Sequence, residues 1–423
     1  ESFEVIQENI DAPLQFEIVS QSISGALSVN NQGGLVVANA AVFDFETNTT
    51  ISGTVQVSSG TISDSASFTI SIMDVEEFVP FITTWNLTED NTTVRLPVFE
   101  ATGDVETQYD FMVDWGDGTM GDVTSFDDPD TAHTYAASGR YTITITGTLI
   151  GFSFGEIPDS KDFFTDVIQW GDLQLGNSGR HFLGCSNLMD FSAMDTPNLS
   201  ELVNASNMFR DAISFNGSLS SWDVSNITNM GSMFSGAENF NGDISNWDVS
   251  NVTDMSFMFF RTSLFNSDIS DWNTESLLEM RQMFDQATSF NSDLTNWDVS
   301  KVTDMSVLFR NAEAFNGDVS GWDVSSVTNT GGMFFGATAF NRDISGWDVA
   351  AVTDMGSMFT RASNFNQNIS SWNVGNVTDM SFLFFETENF NSDISGWDVS
   401  SVINMSFMFS GAQSFNGDLS SWN

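Results

Sequence analysis

Residues 240–259 read FNGDISNWDVSNVTDMSFMF, and this stretch recurs along the second half of the chain with little change. A Phe-Asn pair begins each copy, each pair lies 25 residues after the previous one, and a Trp follows seven residues after each Phe. Self-similarity at a fixed period of this length predicts a repeat architecture in which each unit packs on its neighbours. The units begin at Phe215, Phe240, Phe265, Phe290, Phe315, Phe340, Phe365, Phe390 and Phe415.

Each unit combines an extended part with a turn-rich part. Phe240 and Ile244 fall on one face of a segment with the two-residue alternation of a strand. Thr253 or Asp254 is placed to cap a short helical turn that carries the Met and Phe residues of 255–259. A single unit is too small to enclose these apolar side chains, but stacked units bury them against one another.

The charge of the chain limits its partners. The sequence has 423 residues, with 11 Lys and Arg against 57 Asp and Glu, and a formal net charge of −46 at pH 7. Such a surface repels phosphates, which argues against nucleic acid and anionic lipid as partners. Direct membrane insertion is not expected either, because no segment is long and apolar enough. It attracts cations, and Ca²⁺ prefers the oxygen ligands that acidic residues supply. Solubility in a salty medium explains the same charge without any metal, and both explanations stay open.

The ends of the sequence suggest a piece of a longer chain, and its cysteine content excludes an internal disulfide. Cys185 is the only cysteine, so no disulfide can form within the chain. No segment has the length and apolar purity of a membrane span. The sequence begins abruptly at Glu1 and stops within a repeat at Asn423. We therefore expect neighbouring domains of a longer chain.

The repeats resemble those of BspA-like leucine-rich-repeat surface proteins of the bacterial surface protein 26-residue repeat type. The matching text is F-N-x-D-I-S-x-W-D-V-S-x-V-T-x-M, followed by M-F-x-x-A, although the period here is 25 residues. The irregular residues 156–214, with Trp170-Gly171 and Met208-Phe209, look like degenerate units that cap the array. The resemblance implies an exported adhesin on a bacterial cell surface, and many such proteins belong to Bacteroidota with type IX secretion.

Residues 1–77 alternate apolar and polar residues in short runs separated by Gly, Asn and Ser, which predicts a β-sandwich. The segment resembles a cadherin-like module, in which acidic positions at the domain junction ligate Ca²⁺. The resemblance implies calcium ligands at Glu8, Asp44, Glu46 and Asp74. Acidic loops without an ion are the alternative.

Residues 78–155 are similar to a polycystic-kidney-disease (PKD) domain, on the sequence VDWGDG at 113–118 and HTY at 133–135. Asp117-Gly118 between apolar runs predicts a hairpin turn. Trp115 and Tyr135 are expected to fill the core of a second β-sandwich. His133 is expected to form a structural hydrogen bond rather than to ligate a metal.

Two polar columns run along the stacked units. The Asn that follows each Phe, from Asn216 to Asn416, is expected to satisfy backbone groups between units. The Asp two residues further on is expected either to cap a turn or to form an acidic face that binds Ca²⁺ or a glycan. This acidic column comprises Asp243, Asp268, Asp293, Asp318, Asp343, Asp393 and Asp418, with Ser218 and Asn368 as exceptions.

The sequence offers little for catalysis. Two His, one Cys and two Lys leave few tunable groups, and no phosphate-binding loop, zinc spacing or nucleophile elbow is present. The unit at 265–289 diverges most, and its Glu275, Glu279 and Asp285 are the carboxylates that a polysaccharide-degrading enzyme would use. We expect that the protein is not an enzyme.

The predicted fold is mainly β with short helices: two N-terminal β-sandwich domains followed by a leucine-rich-repeat-like β/α solenoid of 25-residue units. The predicted domains are residues 1–77, 78–155, an irregular cap at 156–214, and the solenoid at 215–423. The predicted function is that of an extracellular surface adhesin whose solenoid binds a glycan, a protein or a cell surface. A structural stalk without a ligand is the alternative, and a polysaccharide-active enzyme is the third candidate.

Overall fold

The computed structural model describes residues 12–73, 77–101 and 105–422. The protein is mainly β, with short 3-10 helices. It divides into two compact units, Glu1–Glu77 and Phe78–Asn423. Among the described residues, no helix has the length and apolar character needed to cross a bilayer.

The first unit is built on antiparallel strands around a small core. β4 pairs with β1 on one side and with β5 on the other, and β2 pairs with β3. Gly60, with φ of 65°, lies in the tight turn between β4 and β5, where a left-handed residue suits the strand twist. The small core is centred on the buried residues Ala26, Leu27 and Ile51. The strands are β1 Gln15–Gln21, β2 Leu27–Val29, β3 Leu35–Val37, β4 Thr50–Ser59 and β5 Ile62–Ser71, with a 3-10 helix at Ala40–Val42.

The second unit begins with a five-stranded antiparallel sheet in the order β12-β6-β11-β8-β9 and a separate pair of β10 and β7. β12 lies beyond the predicted boundary at residue 155, yet it pairs with β6 inside this sheet. The strands are β6 Phe81–Leu87, β7 Thr92–Arg95, β8 Gln108–Asp114, β9 Met120–Val123, β10 Ala132–Tyr135, β11 Gly139–Ile150 and β12 Phe164–Gln169, with 3-10 helices at Pro129–Thr131 and Pro158–Phe163.

The residues singled out in this sheet behave as predicted. Trp115 and Tyr135 are buried, and the Tyr135 hydroxyl donates to the Trp115 carbonyl at 2.7 Å. Asp117 and Gly118 lie in the turn between β8 and β9. His133 Nε2 lies 2.8 Å from Asp117 Oδ2, which confirms a structural hydrogen bond at this histidine.

Successive repeats run parallel to one another, and each residue lies next to the residue 25 positions later in the sequence. Most units contribute one bridge residue to a neighbour, for example Asn229 to Asp254 and Asp254 to Glu279. Phe234 and Phe259 stack with ring centroids 5.8 Å apart, and the same spacing continues through the units. From Trp247 onward, each Trp indole of the repeats donates to the backbone of the preceding unit, as Trp247 Nε1 does to the Leu219 carbonyl at 3.0 Å.

The predicted strand at the start of each unit is wrong. Residues 240–245 form no strand, and from Asn241 onward the backbone N–H of each Asn in this column bonds to a side chain instead of a neighbouring carbonyl. Asn241 N donates to Asn216 Oδ1 at 2.8 Å, and Asn266 N donates to Asn241 Oδ1 at 2.8 Å. The column therefore satisfies backbone groups between units, as predicted for the asparagines.

The predicted helical turn is also wrong. Phe257 and Arg261 have φ of 59° and 57°, in the left-handed region that an α-helix excludes. Phe257 N donates to the Arg281 carbonyl of the next unit at 3.0 Å, while Phe260 N donates to the Phe257 carbonyl at 3.0 Å. Some N–H groups of the turn thus bond to carbonyl groups of the next unit, and the others bond to carbonyl groups of the same unit. These bonds between units offset the strain, which is about 1–2 kcal/mol for a left-handed residue other than glycine.

One hydrophobic core runs through the second unit from Phe81 to Met408. Trp170, Phe182 and Phe209 belong to it, so the irregular residues 156–214 share a core with the sheet and with the repeats. Phe182 stacks on Phe209 at 5.4 Å, which continues the aromatic ladder into the irregular segment. The predicted boundaries at 155 and 214 therefore fall inside a continuous core.

Candidate functional site

The acidic column caps turns. Asp243 Oδ1 accepts the backbone N–H of Ser245 at 3.0 Å and its hydroxyl at 2.8 Å. Most other aspartates of the column likewise accept the backbone N–H of the residue two positions later in the sequence. Asp293 instead accepts the backbone N–H of Asp318 in the next unit, at 2.8 Å. The N–H of the second residue on donates to Asp268, Asp318, Asp343, Asp393 and Asp418.

These hydrogen bonds stabilise the charged form of the carboxylates. The backbone N–H and the hydroxyl of Ser245 hold the pKa of Asp243 below its ordinary value. The serine two residues on lowers the pKa in the same way at Asp268, Asp318, Asp343, Asp393 and Asp418. The carboxylates are thus ionised and mostly exposed, and binding of Ca²⁺ or a glycan by this column stays a prediction.

Two further columns use the same turn chemistry. Asp248, directly after Trp247, accepts the N–H of Ser250 at 3.0 Å. Asp254, at the bridge position, accepts the N–H of Ser256 at 2.8 Å. Most complete units therefore have three places where an Asp or Asn side chain caps a turn. Much of the acidic content of the repeats serves this local purpose.

The proposed calcium ligands are only partly within the described residues. Glu8 and Asp74 lie outside them. Asp44 accepts the Thr47 hydroxyl at 2.8 Å and the Glu46 N–H at 3.1 Å, and these bonds lower its pKa. In the part of the chain that the structure describes, no group of three or more His, Cys, Asp and Glu side chains is placed to hold a metal ion. The site at these four residues stays a prediction.

The carboxylates considered for catalysis have different surroundings. Glu275 and Glu279 are exposed, whereas Asp285 is completely buried. Arg310, one unit further on, bonds both oxygens of Asp285, with Nε donating to Oδ1 at 3.0 Å. Gln282 Nε2 donates to Oδ2 at 3.1 Å. Asp285 is therefore a fully bonded member of a buried ion pair.

A surface that sequence reasoning missed lies over the turns. We call it the variable face, and define it by four positions of each unit between residues 206 and 411. In the unit that begins at Phe240 these are Ser256, Phe257, Phe260 and Arg261. The residues between them, Met258 and Phe259 in that unit, are buried and nearly constant. Comparing the units position by position could have found this face, because its residues differ while the buried residues between them repeat.

The variable face differs from the rest of the protein in charge. It carries five arginines against three acidic residues, in a chain whose net charge is −46. It also carries partly exposed aromatic rings. Phe257 contacts Phe260 edge-on at 6.1 Å, and Phe382 stacks on Phe407 at 5.2 Å. The arginines are Arg210, Arg261, Arg281, Arg310 and Arg361, and the acidic residues are Asp211, Asp285 and Glu386.

A pocket of about 500 Å³ opens in the variable face. Every residue that lines it occupies one of the four defining positions, and the residues come from four successive units. They include Gln286, Arg310, Asn311, Gly332 and Phe335. The Arg361 guanidinium lies 6.0 Å from the centre of the Phe335 ring. The pocket therefore combines one aromatic ring, amide and guanidinium groups, and backbone exposed by glycine.

One family matches the repeats of this chain. Its description is "Mycoplasma protein of unknown function, DUF285", and the matched segments are residues 177–296, 246–347, 278–384 and 340–423. Together these cover more than half of the sequence. No curated protein and no solved structure matches the chain.

The family match corrects the resemblances drawn from the sequence. The BspA-like leucine-rich-repeat assignment is wrong, because the family that matches the repeats is DUF285. The cadherin-like assignment of residues 1–77 and the PKD-like assignment of residues 78–155 are wrong as well, since the comparisons give them no support. Without these resemblances, their implications for type IX secretion and Bacteroidota lose their basis.

Proposed function

The chain belongs to the DUF285 family, and from that premise we propose that it is a non-enzymatic extracellular binding protein whose stacked repeats present a recognition surface. The family description assigns no activity, so the proposal depends on the surface itself. Its partner is a glycan or a protein of a cell surface or extracellular material. Its location is outside a bacterial cell.

The observation that carries the proposal is the variation on the variable face. At the position of Phe257, successive units place Ser232, Gln282, Val307 and Gly332. The backbone at this position is left-handed in every one of these units, so the fold does not require the change of side chain. A stack that served only as a stalk would need no such variety beside a constant core. Varied side chains on a constant scaffold are suited to recognition.

The charge distribution supports the same proposal. Aromatic residues and arginine are enriched at the centres of protein interfaces, and both are present on the variable face. The acidic remainder of the surface keeps the chain soluble and discourages contact with nucleic acid. We further propose that the repeats form a solenoid and that each N-terminal group of strands forms a β-sandwich, on the support of the parallel bridges between units and the antiparallel sheets.

Binding by the full chain tests the proposal. The biotinylated chain is applied to a glycan array and to epithelial cell monolayers, alongside two variant sets. In the first set Phe257, Phe260, Phe382 and Phe385 become Ser, the residue found at 232 and 235. In the second set, four members of the acidic column become Asn, the residue found at 368. They are Asp243, Asp268, Asp343 and Asp393.

Each outcome assigns the function differently. Binding by the native chain that is lost only in the first set supports the variable face. Loss only in the second set moves the site to the acidic column. No binding to any glycan or cell favours the stalk without a ligand. Depolymerisation of a bound polysaccharide, lost on Glu275→Gln or Glu279→Gln, would make the chain an enzyme and contradict the proposal.

We further propose a structural calcium ion at Glu8, Asp44, Glu46 and Asp74, and the support left for it is the net charge of −46, which attracts cations that prefer oxygen ligands. Thermal melts of the full chain in EDTA and in Ca²⁺ test it, because an ion that binds only the folded state raises the melting temperature. We expect a rise in Ca²⁺ that disappears when Asp44 and Glu46 are both replaced by Ala. An equal melting temperature in both conditions would remove calcium from the proposal.

A further inference from the structure

We propose that the pocket of the variable face binds a neutral sugar unit of a glycan chain. The inference rests on the proposed binding function and narrows it to one site and one class of ligand. The pocket has a volume of about 500 Å³, which lies within the range of about 300–1,000 Å³ that is usual for small-ligand pockets.

The pocket exists because two neighbouring units lack bulky side chains. The unit that begins at Phe315 has Gly331 and Gly332 at the first two positions of the face, and the next unit has Gly356 and Ser357. Most other units have a larger side chain at the second of these positions, such as Phe382, and the small pair Gly231 and Ser232 stands alone between units that carry Asn207 and Phe257 there. The gap is therefore local to these units, while the backbone follows the same path.

The charges at the pocket are compensated. Arg310 is paired with buried Asp285, and Arg361 Nε donates to Glu386 at 2.7 Å. A ligand with a carboxylate or phosphate would find no unpaired positive charge there, and it would approach against the net charge of −46. A cationic ligand would find the carboxylates already bonded to arginine. A neutral ligand meets neither penalty.

The remaining groups match a sugar. Phe335 presents an apolar ring, on which the C–H face of a pyranose can pack. The Asn311 amide both donates and accepts, and Gln286 and Ser357 add further polar groups to the lining. Planar amides beside a ring suit adjacent hydroxyls, since each hydroxyl also donates and accepts. The combination of one apolar surface and several neutral polar groups distinguishes this pocket from an ion site.

Two substitutions should abolish binding at the pocket, and each introduces a residue that other units already have at the same position. Gly332→Phe fills it, and Phe257, Phe382 and Phe407 occupy the same position with φ of 57–59°, close to the 63° of Gly332. Phe335→Thr removes the ring, and the next unit has Thr360 at that position. The matched control is Ser232→Phe, which adds the same side chain at the same position of a distant unit.

The experiment is affinity gel electrophoresis of the full chain in dextran, mannan and galactan, with alginate and chitosan as charged probes. We expect retardation by at least one neutral polysaccharide, weakened about tenfold or more by Gly332→Phe and by Phe335→Thr, and unchanged by Ser232→Phe. Melting temperatures of Gly332→Phe and Ser232→Phe that agree within a few degrees show that the loss is not unfolding.

Other outcomes overturn the inference. Stronger retardation by alginate or chitosan than by every neutral polysaccharide would assign the wrong ligand class. Retardation by a neutral polysaccharide that both pocket variants retain would place the site elsewhere and leave the proposed binding function standing. Absence of retardation in every gel, with cell binding intact, would exclude a neutral glycan. Absence of both would remove the binding function as well.

Discussion

In the five-stranded sheet, the backbone of one strand bonds to the backbone of the next, whereas in the stacked repeats side chains take over many of these bonds. Ile145 of β11 pairs with Phe81 of β6 and Val113 of β8, and the register needs no particular side chain. In the repeats, Asn216 Oδ1 accepts the N–H of Asn241, so the bond requires that residue type. The difference explains why the sheet sequences are irregular and the repeat sequences are nearly constant.

The largest expected effect comes from interrupting the aromatic ladder. Phe284 stacks on Phe259 at 5.7 Å and on Phe309 at 5.4 Å. Phe284→Ala removes contacts in both directions and leaves a cavity, and we expect a loss of about 3–5 kcal/mol in the free energy of unfolding. Denaturant unfolding measures the change. Leu264→Ala, at an exposed position, is the control and should change it by less than about 0.5 kcal/mol.

The ion pair between units should give the next largest effect. Arg310→Met leaves the fully buried Asp285 without its cation, and we expect a loss of about 3 kcal/mol, since Arg310 itself is partly exposed and water relieves some of the penalty. The double variant with Ser at both positions, the residue found at 235 and 410, should recover most of the stability. Equal unfolding free energies for the single and double variants would contradict the assignment.

A matched pair of polar substitutions compares the two regions directly. Asn266→Ala removes the acceptor of the Asn291 N–H, which lies 2.8 Å away, and we expect a loss of about 1 kcal/mol. Thr146→Val on β11 leaves the backbone pairing of that residue with Met112 intact, and should change stability by less than about 0.5 kcal/mol. Equal losses at the two sites would show that the repeats do not depend on their side chains for backbone bonding.

The smallest effect concerns pH. Hydrogen bonds from Ser395 hold the pKa of Asp393 in the folded state below its ordinary value of 3.8, so the unfolded state takes up a proton more readily. The stabilisation is complete well above pH 3.8 and is lost as the pH falls through the folded-state pKa. Asp393→Asn, which keeps the turn as Asn368 does, should flatten the decline of melting temperature in acid. An identical decline in both proteins would refute the effect.

The candidate site could be predicted only in part. The period of the Phe and Trp residues sufficed to locate the units and their buried faces, and the Asn column was recognised as a source of bonds between units. The pair of Asp285 and Arg310 was not foreseen, although one unit separates the two residues. The burial of Asp285 depends on which residues of the neighbouring units pack against it. No local sequence pattern in either unit indicates this packing.

The sequence by itself determined which residues are buried and how often they recur, because apolar character and period are properties of the residues alone. Only the tertiary structure decided the path of the backbone. The left-handed backbone at Phe257 and Arg261 is stabilised by the next unit, whose carbonyl groups accept their N–H groups. The pocket is likewise a tertiary property. It is open because Gly331 and Gly332 have no side chains to fill it, and the residues that line it come from several neighbouring units.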